Sequence, residues 1–596
     1  MKEIFTPSIK TGGQWLVSPV SKAKVFCRES FTNEHKDIET LINDFAKNRL
    51  YPNIEAIDKL DKDLSMSIMK EMGELGLIGI DSPEEYGGTE LDKIASCIVT
   101  EGVSRGGSAS FSTTFGVQTG IGSLGIVFFG TQEQKKKYLP KMMTGEMISA
   151  YGLTEPSSGS DALSAKTTAT LSEDGNYYIL NGEKQFISNG GWADVYTILA
   201  KVDGDKFSGF IVERGTEGFS IGPEENKMGM KGSSTTSLIF QDAKVPKKNL
   251  LYKIGKGATI AFNALNIGRY KLGAASVGGS KLAIEETIKY AVERRQFGQP
   301  IANFDAIKGK LADATIRNYA ADSMLYRTVG MIQDAINDLD KKDPDYYIKM
   351  GETTERFAIE ASMAKIYGSE TSQLCVDHCL QIFGGYGFIE EYPIARAYRD
   401  DRINRIWEGT NEINRQIITG YMMKKVLMEE ISLRTHIKSI PKFLEKKLPE
   451  KSEEFMYKEK YGLESAKLLC SVIFHEALCE YGQDIKHQQQ LEEALADIFT
   501  EIYTMESIIG RSEQAQSVVE TAKISKIIAK IYVSESLLKI KYLSNISINK
   551  IFNEKTIKNH KENIEKLESI LTSKTDTITL KQKLADFMLK QKAYPF

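Results

Sequence analysis

Cysteine is scarce in this chain: six in 596 residues, irregularly spaced. A disulfide framework needs a denser, paired set, so none is expected and a reducing compartment fits. Long apolar runs are also missing. None approaches the roughly 18 residues that a helix needs to cross a bilayer. The stretch Met1 to Val17 has no apolar core of the signal-peptide kind. Excess charge of either sign is absent, with a formal net charge of -3. That balance argues against bulk binding to nucleic acid or to an anionic membrane surface. There is no glycine-rich strand–helix fingerprint, so no Rossmann site is implied. No internal repeat is visible. These absences lead to the expectation of a cytoplasmic protein, at most peripheral to a membrane.

What is present is an ordinary apolar fraction, 41%, in a chain long enough for several domains. Residues 1–30 lack periodicity and read as an irregular arm. Helical periodicity begins near Thr32, with Ile38, Leu41, Ile42 and Phe45 on one face. Met66, Ile68, Met69 and Met72 mark a second helix. Two small-residue stretches, Gly106–Ser110 and Gly120–Gly125, read as parts of helices. Glycine costs roughly 1 kcal/mol in a helix interior, so something must pass close by, and tight helix packing is the simpler explanation. From Tyr151 the pattern becomes β. Tyr177–Leu180 and Lys184–Ser188 flank Asn181-Gly182, which predicts a hairpin. From Ala258 long helices return. Ala258 to Phe297 is long enough to predict two helices. In the last segment Leu491, Leu495, Ile498, Phe499 and Ile502 form a stripe that is expected to end at Gly510.

The fold class expected is mostly helical α+β. An N-terminal helical domain (31–149) precedes a small antiparallel β domain (150–255). A C-terminal four-helix bundle (256–430) and a further helical domain (431–596) follow. The last segment has balanced charges and reads as a packing or assembly unit. Cys375, His378 and Cys379 share a helix face, but no fourth ligand is near, so no metal is expected.

One stretch concentrates chemistry: Arg405-Ile-Trp-Glu-Gly-Thr-Asn-Glu412. Glu408 stands between an aromatic ring and a glycine. A carboxylate beside an apolar ring is poorly solvated and becomes a stronger base. Gly409 allows a ligand close to the backbone. A second stretch, Tyr151-Gly-Leu-Thr-Glu-Pro-Ser-Ser-Gly-Ser-Asp161, offers the hydroxyls of Thr154, Ser157, Ser158 and Ser160 around Gly159. Either alone is compatible with an ordinary turn or loop. Three more stretches join them: Phe186–Gly191, Arg294–Gly298 and Gln381–Gly387. Together the five resemble the acyl-CoA dehydrogenase family over roughly residues 30–425. Both long family signatures are met, Gly152 to Asp161 and Gln381 to Asp400.

The resemblance implies FAD as cofactor and an acyl-CoA as substrate. It implies Glu408 as the catalytic base. A branch of the family places the base just ahead of the arginine that is Arg269 here, but that position is Gly268. Tyr151, Leu153, Thr154 and Ser160 match the flavin-side loop, with Ser160 also near the pantetheine. Phe186 and Ser188 match the pair at the flavin ring. Arg294 and Gln296, with Phe297 beside them, match residues that reach the neighbouring subunit's flavin. Gln381 and Gly385 match adenosine-side contacts, and Thr410 and Glu412 the last FAD turn. Asn266 and Arg269 match the substrate-contacting helix. Asp305 departs from the family's glutamine and puts that FAD contact in question. In the family the enolate oxygen is held by a flavin hydroxyl and the backbone N–H of the base.

Gly122 and Gly125 stand where medium-chain relatives carry larger residues that close the acyl tunnel. Their small size and the C-terminal extension resemble the very-long-chain branch, which implies long-chain substrates, a homodimer, and electron-transfer flavoprotein as acceptor. The stripes of the extension are compatible with packing or with peripheral membrane contact. Three other readings share the fold: an acyl-CoA oxidase, a DNA-binding alkylation-response flavoprotein, and a chaperone-like assembly factor. The DNA-binding role needs a basic patch, which the balanced charge of 431–596 does not offer.

Overall fold

The computed structural model describes residues 9–20, 25–446, 452–516, 521–552 and 554–596, with the side chains of 554–559 left aside. Residues 1–8 and 21–24 of the expected arm lie outside this set.

Helix starts in the N-terminal region are written in single residues. Thr32, Asp61, Asp92, Ser108 and Thr131 each accept a backbone N–H three residues on. Each such cap is worth about 1 kcal/mol. The helices they open are Asn33–Phe45, Lys62–Glu74, Lys93–Arg105, Ala109–Gln118 and Gln132–Met143. On the first, Ile38, Ile42 and Phe45 are buried, but Leu41 is exposed and falls off that face. Gly106 and Gly107 are not inside a helix, contrary to expectation. They form the turn between two helices, and Gly107 has a φ of +81°.

Strands β1 (Ser149–Gly152), β2 (Thr168–Leu171), β3 (Tyr177–Ser188), β4 (Val195–Val202), β5 (Lys206–Glu213), β6 (Phe219–Glu224), β7 (Thr235–Pro246) and β8 (Leu250–Leu251) make one sheet. Its order is β6-β7-β3-β2-β4-β5-β8, with β1 on β4. The pairing is antiparallel except for β1 and β2 against β4. The hairpin expected at Asn181-Gly182 is absent. Both residues lie within β3, where the register against β7 shifts between Leu180 and Gly182. A bulge and a hairpin turn both use an Asn-Gly pair, because both need unusual φ. Gly182, at φ +145°, also has Thr167 Oγ1 where a Cβ would sit, 2.6 Å away.

Four long helices, Gly257–Glu293, Asp305–Asn337, Ala358–Phe383 and Asn411–Leu427, form the bundle behind the sheet. The first is a single helix of 37 residues, not two. Its glycines persist because backbone crosses it closely: a Cβ at Gly278 would lie 2.1 Å from the Glu101 carbonyl. Asp305 opens the second helix as an exposed first-turn acid, a favourable place for negative charge.

The extension holds five longer helices among the described residues: Tyr457–Tyr481, Gln489–Ala515, Ala522–Ile551, Glu554–Ile570 and Thr577–Gln591. The expected stop at Gly510 is wrong. Gly510 lies mid-helix, and a Cβ there would strike Val25 Cγ2 at 2.6 Å. The extension is joined to the bundle through buried charge. Arg327 pairs with Glu506 at 2.7 Å, Arg511 with Asp322 at 3.1 Å, and Arg415 with Asp497 at 2.8 Å. The arm runs between the two. Trp15 is fully buried, donates through Nε1 to Glu360 at 2.8 Å, and packs on Tyr503.

Cys375 and Cys379 are core residues. Their thiols reach the carbonyls of Ala314 and Ala283, each at 3.5 Å.

Candidate active site

The helix Asn411–Leu427 begins at Thr410, whose side chain accepts from Ile413 N–H. The two residues before that cap both have left-handed backbone, Glu408 at φ +57° and Gly409 at φ +80°. Glycine adopts this at no steric cost, but glutamate does not, and such positions cluster at functional sites. Asn414 holds the turn from the helix side. Its Nδ2 donates to Gly409 O at 2.8 Å and to Thr410 O at 3.0 Å.

The turn brings Glu408 to the wall of a cavity of about 1040 Å³ between the sheet, the N-terminal helices and the bundle. The carboxylate atom Oε2 is sealed from solvent and meets no hydrogen-bond donor. A buried acceptor without a donor is costly, so it marks a place where something else is to bind or react. Burial pushes the Glu408 carboxyl up to about 7, although Arg269 and Lys365 each pull it down. A base with that value ionises near neutral pH and still takes protons well.

Gly268 explains why the carboxylate fits. A Cβ there would lie 2.7 Å from Glu408 Oε2. A side chain at 268 and a carboxylate from 408 therefore compete for one volume. Next to it, Arg269 reaches the turn, with Nε 3.4 Å from Glu408 O. Arg269 Nη1 donates to Asn266 Oδ1 at 2.8 Å, so Asn266 orients the guanidinium from behind.

On the opposite wall the loop after β1 is pinned by a buried ion pair, Lys184 Nζ to Glu155 Oε1 at 2.6 Å. Lys184 also donates to Leu153 O. With that anchor, Tyr151, Leu153, Thr154 and Ser160 all line the cavity, as do Phe186 and Ser188 from β3. Phe186 has a φ of +59° and is largely exposed to the empty space. The Tyr151 hydroxyl is buried without a partner, and a Cβ at Gly159 would meet nothing within 4 Å. An unpartnered phenol, three hydroxyls and open backbone on one wall of the cavity fit a ring with a polar edge. Ser158 does not serve the lip, because its hydroxyl donates to Asp161 O inside the loop.

The structure thus gathers Glu408, Gly409, Thr410, Arg269, Tyr151, Leu153, Thr154, Ser160, Phe186 and Ser188 around one volume. Other expected residues stand apart from it. Gln296 and Phe297 sit on an outward hairpin, with Phe297 93% exposed. Gln381 and Gly385 are exposed at the end of helix Ala358–Phe383, and Glu412 is exposed beyond the cap. Arg294 links two of these segments, its guanidinium 5.2 Å from the Tyr386 ring centre.

Gly122 and Gly125, expected at the end of the acyl tunnel, are not among the residues that line this cavity. A Cβ at Gly122 would lie 2.4 Å from Ser149 Oγ, and one at Gly125 would pack on Leu251 and Ile260. Both glycines seat their helix against its neighbours. The open positions are elsewhere. Gly116 and Gly279 line the cavity, and a Cβ at either would meet nothing within 4 Å. Nothing in the local sequence marks these two, whereas Lys184 and Glu155 could have been noticed as charges in an apolar strand and a turn.

Four family profiles match the chain. Residues 32–146 match the profile described as acyl-CoA dehydrogenase, N-terminal domain, and residues 150–243 the middle domain. Residues 255–423 and 465–566 match two profiles, each described as acyl-CoA dehydrogenase, C-terminal domain. A probable acyl-CoA dehydrogenase of Bacillus subtilis (strain 168) is 46% identical over 535 residues, covering 89% of this chain and 90% of that one. The very long-chain specific acyl-CoA dehydrogenase of Homo sapiens is 38% identical over 386 residues, covering 63% of this chain and 54% of its own. The crystal structure of an acyl-CoA dehydrogenase complexed with FAD from Bacillus anthracis matches with a TM-score of 0.93 at 42% identity. That match covers 98% of this chain and 100% of the other.

Proposed function

The chain belongs to the acyl-CoA dehydrogenase family, and we propose from that premise that it oxidises long-chain acyl-CoA with Glu408 as the base. It is an FAD-dependent enzyme. The observation that carries the assignment of the base is the unpartnered, desolvated Glu408 carboxylate on the cavity wall. FAD, when bound, accepts the substrate's β-hydride. Glu408 takes the α-proton, and the electron pair of the broken Cα–H bond becomes the new C=C bond. Arg269 and Asn266 hold the turn that aims the carboxylate. The products are a trans-2-enoyl-CoA and a reduced cofactor, so atoms and electrons balance.

Thr154, Ser160 and Ser188 would supply hydrogen bonds to the flavin, with Tyr151 and Phe186 beside it. Arg294, Gln296, Phe297, Gln381 and Gly385 lie on outward segments, which suits contact with a second subunit's cofactor in a homodimer. The electrons would pass to an electron-transfer flavoprotein in the cytoplasm. Among the described residues no helix is long and apolar enough to cross a membrane. The exposed stripe of Leu538, Tyr542 and Ile546 is the face a membrane would meet.

The test is anaerobic titration of the purified holoenzyme with acyl-CoAs of graded length, read as flavin bleaching. Reduction by no acyl-CoA of any length would refute the reading. Rapid reoxidation by air would favour an oxidase over a dehydrogenase.

Chain length has its own test. Gly116 borders open space in the cavity, so Gly116→Leu should lower long-chain turnover about tenfold more than medium-chain turnover. Gly122→Leu should act differently. With Ser149 Oγ so close, overpacking should cost about 1–3 kcal/mol of stability and treat all chain lengths alike. A length profile unchanged by Gly116→Leu would count against the long-chain reading.

A further inference from the structure

Behind the Glu408 turn lies a buried cation that the chemistry above does not use. Lys365 sits on helix Ala358–Phe383 and is fully buried. Its Nζ donates to Gly409 O at 2.8 Å and to Asn411 Oδ1 at 2.7 Å. Asn411 is itself held: its Nδ2 donates to Ser369 Oγ at 3.2 Å and to Glu370 Oε1 at 3.0 Å. The Gly409 carbonyl therefore accepts from two sides, Lys365 on one helix and Asn414 on another.

The partners of Lys365 are a carbonyl and an amide, not a carboxylate in contact. A buried ammonium tied only to neutral groups is expensive, and an apolar residue of the same length would pack there at lower cost. What its position does provide is a grip on the peptide directly after Glu408. Glu408 and Gly409 are the two left-handed residues of the turn. Left-handed backbone is costly for a glutamate, and the grip holds the turn in it.

We propose that Lys365 is a positioning residue for α-proton abstraction: it clamps the Glu408–Gly409 turn and places its amino group behind the base. The inference rests on the reading of Glu408 as that base. The charged and titratable groups around the pair come from four elements. Arg269 faces Glu408 from helix Gly257–Glu293, and Tyr151 faces it from β1. Lys365 also feels Glu370 on its own helix and Glu412 on helix Asn411–Leu427. Burial pulls the ammonium down to about 7, with Glu408 the largest influence in the other direction. Each of the two groups favours the charged form of the other. Lys365 favours the ionised form of Glu408, so its loss raises the pH at which the base becomes available.

The experiment compares Lys365→Met and Lys365→Arg holoenzymes with the parent, recording flavin content, kcat, KM and the pH profile of kcat. Lys365→Met should lose about 10²-fold in kcat, the scale of a misplaced group, with KM changing far less. Its acid limb should move up by about one pH unit. Lys365→Arg keeps a charged donor and should recover much of both. A Lys365→Met enzyme with parental kcat and parental acid limb would overturn the proposal. So would one that loses kcat with the acid limb unmoved, since that is a structural defect alone. If Lys365→Met fails to bind flavin, Lys365→Gln is read instead: it keeps a donor without charge and must still show the raised limb, or the proposal falls. Glu408→Gln run alongside separates the two ideas. Activity in that variant removes the base assignment. Inactivity there, with unshifted Lys365 variants, removes only the role of Lys365.

Discussion

Glu408→Gln is expected to keep its flavin and to lose about 10²–10⁴-fold in turnover, the contribution of a positioned general base. Glutamine has the same shape, so the left-handed turn, the Asn414 contacts and the clearance over Gly268 all persist. Only the capacity to take a proton goes. The pH dependence follows from the same burial. The folded-state carboxyl sits at about 7, above its ordinary range, so the base form appears as the pH rises through about 7. Parental kcat should therefore climb through neutrality and level off, and the residual rate of the variant should lack that limb. Stability should move the other way. Ionising a desolvated carboxylate opposes folding, so above about pH 7 the glutamine variant should melt higher than the parent. Single-turnover flavin reduction by acyl-CoA, followed across the neutral range, measures the first effect. A glutamine variant reduced at the parental rate would end the assignment.

Asp322→Ala should have the largest effect on stability, about 3–5 kcal/mol. Asp322 is fully buried on helix Asp305–Asn337 and meets three cations from three parts of the chain. Arg28 of the arm lies 2.8 Å away, Lys281 of the long helix 3.0 Å, and Arg511 of the extension 3.1 Å. Burial alone would raise this carboxyl, but the three cations hold it well below its usual range. A depressed folded-state value means the contribution is present above about pH 4 and fades as the pH falls below it. Glu101 shares Arg28 and Lys281, so removing Asp322 leaves those two partly paired and Arg511 dependent on Glu29. Thermal melting with the flavin bound, and limited proteolysis of the extension, should both show the loss. A melting temperature within a degree or two of the parent would mean that the network relaxes around the gap.

Most of the expected residues that met in one cavity share a property. They belong to one of two short stretches whose geometry is local: a left-handed Glu-Gly pair ahead of a threonine cap, or the hydroxyl loop after β1. The errors share the opposite property. Asn181-Gly182 signals unusual φ, and only pairing with β7 decides between bulge and turn. The segment Ala258 to Phe297 looked too long for one helix on length alone, and it holds a single helix with several glycines. Neighbouring backbone at Gly278 and a carboxylate at Gly268 give them their reason. Gly510 looked like a helix end until Val25 of the arm appeared against it. Lys365 was overlooked in a helix of small and apolar residues, although a lysine on the inner face of such a helix is itself a signal.

The sequence by itself determined the family, the order of helical and β segments, and the identity of the candidate base, because those are encoded in residues a few positions apart. Only the tertiary structure decided which glycines border open space, where Gly116 and Gly279 do and Gly122 and Gly125 do not. It also decided which buried charges meet, as Lys365 meets Gly409 and Arg511 meets Asp322. The reason is physical. A missing side chain or a buried charge takes its meaning from the atoms beside it, and in a packed interior those atoms come from hundreds of residues away.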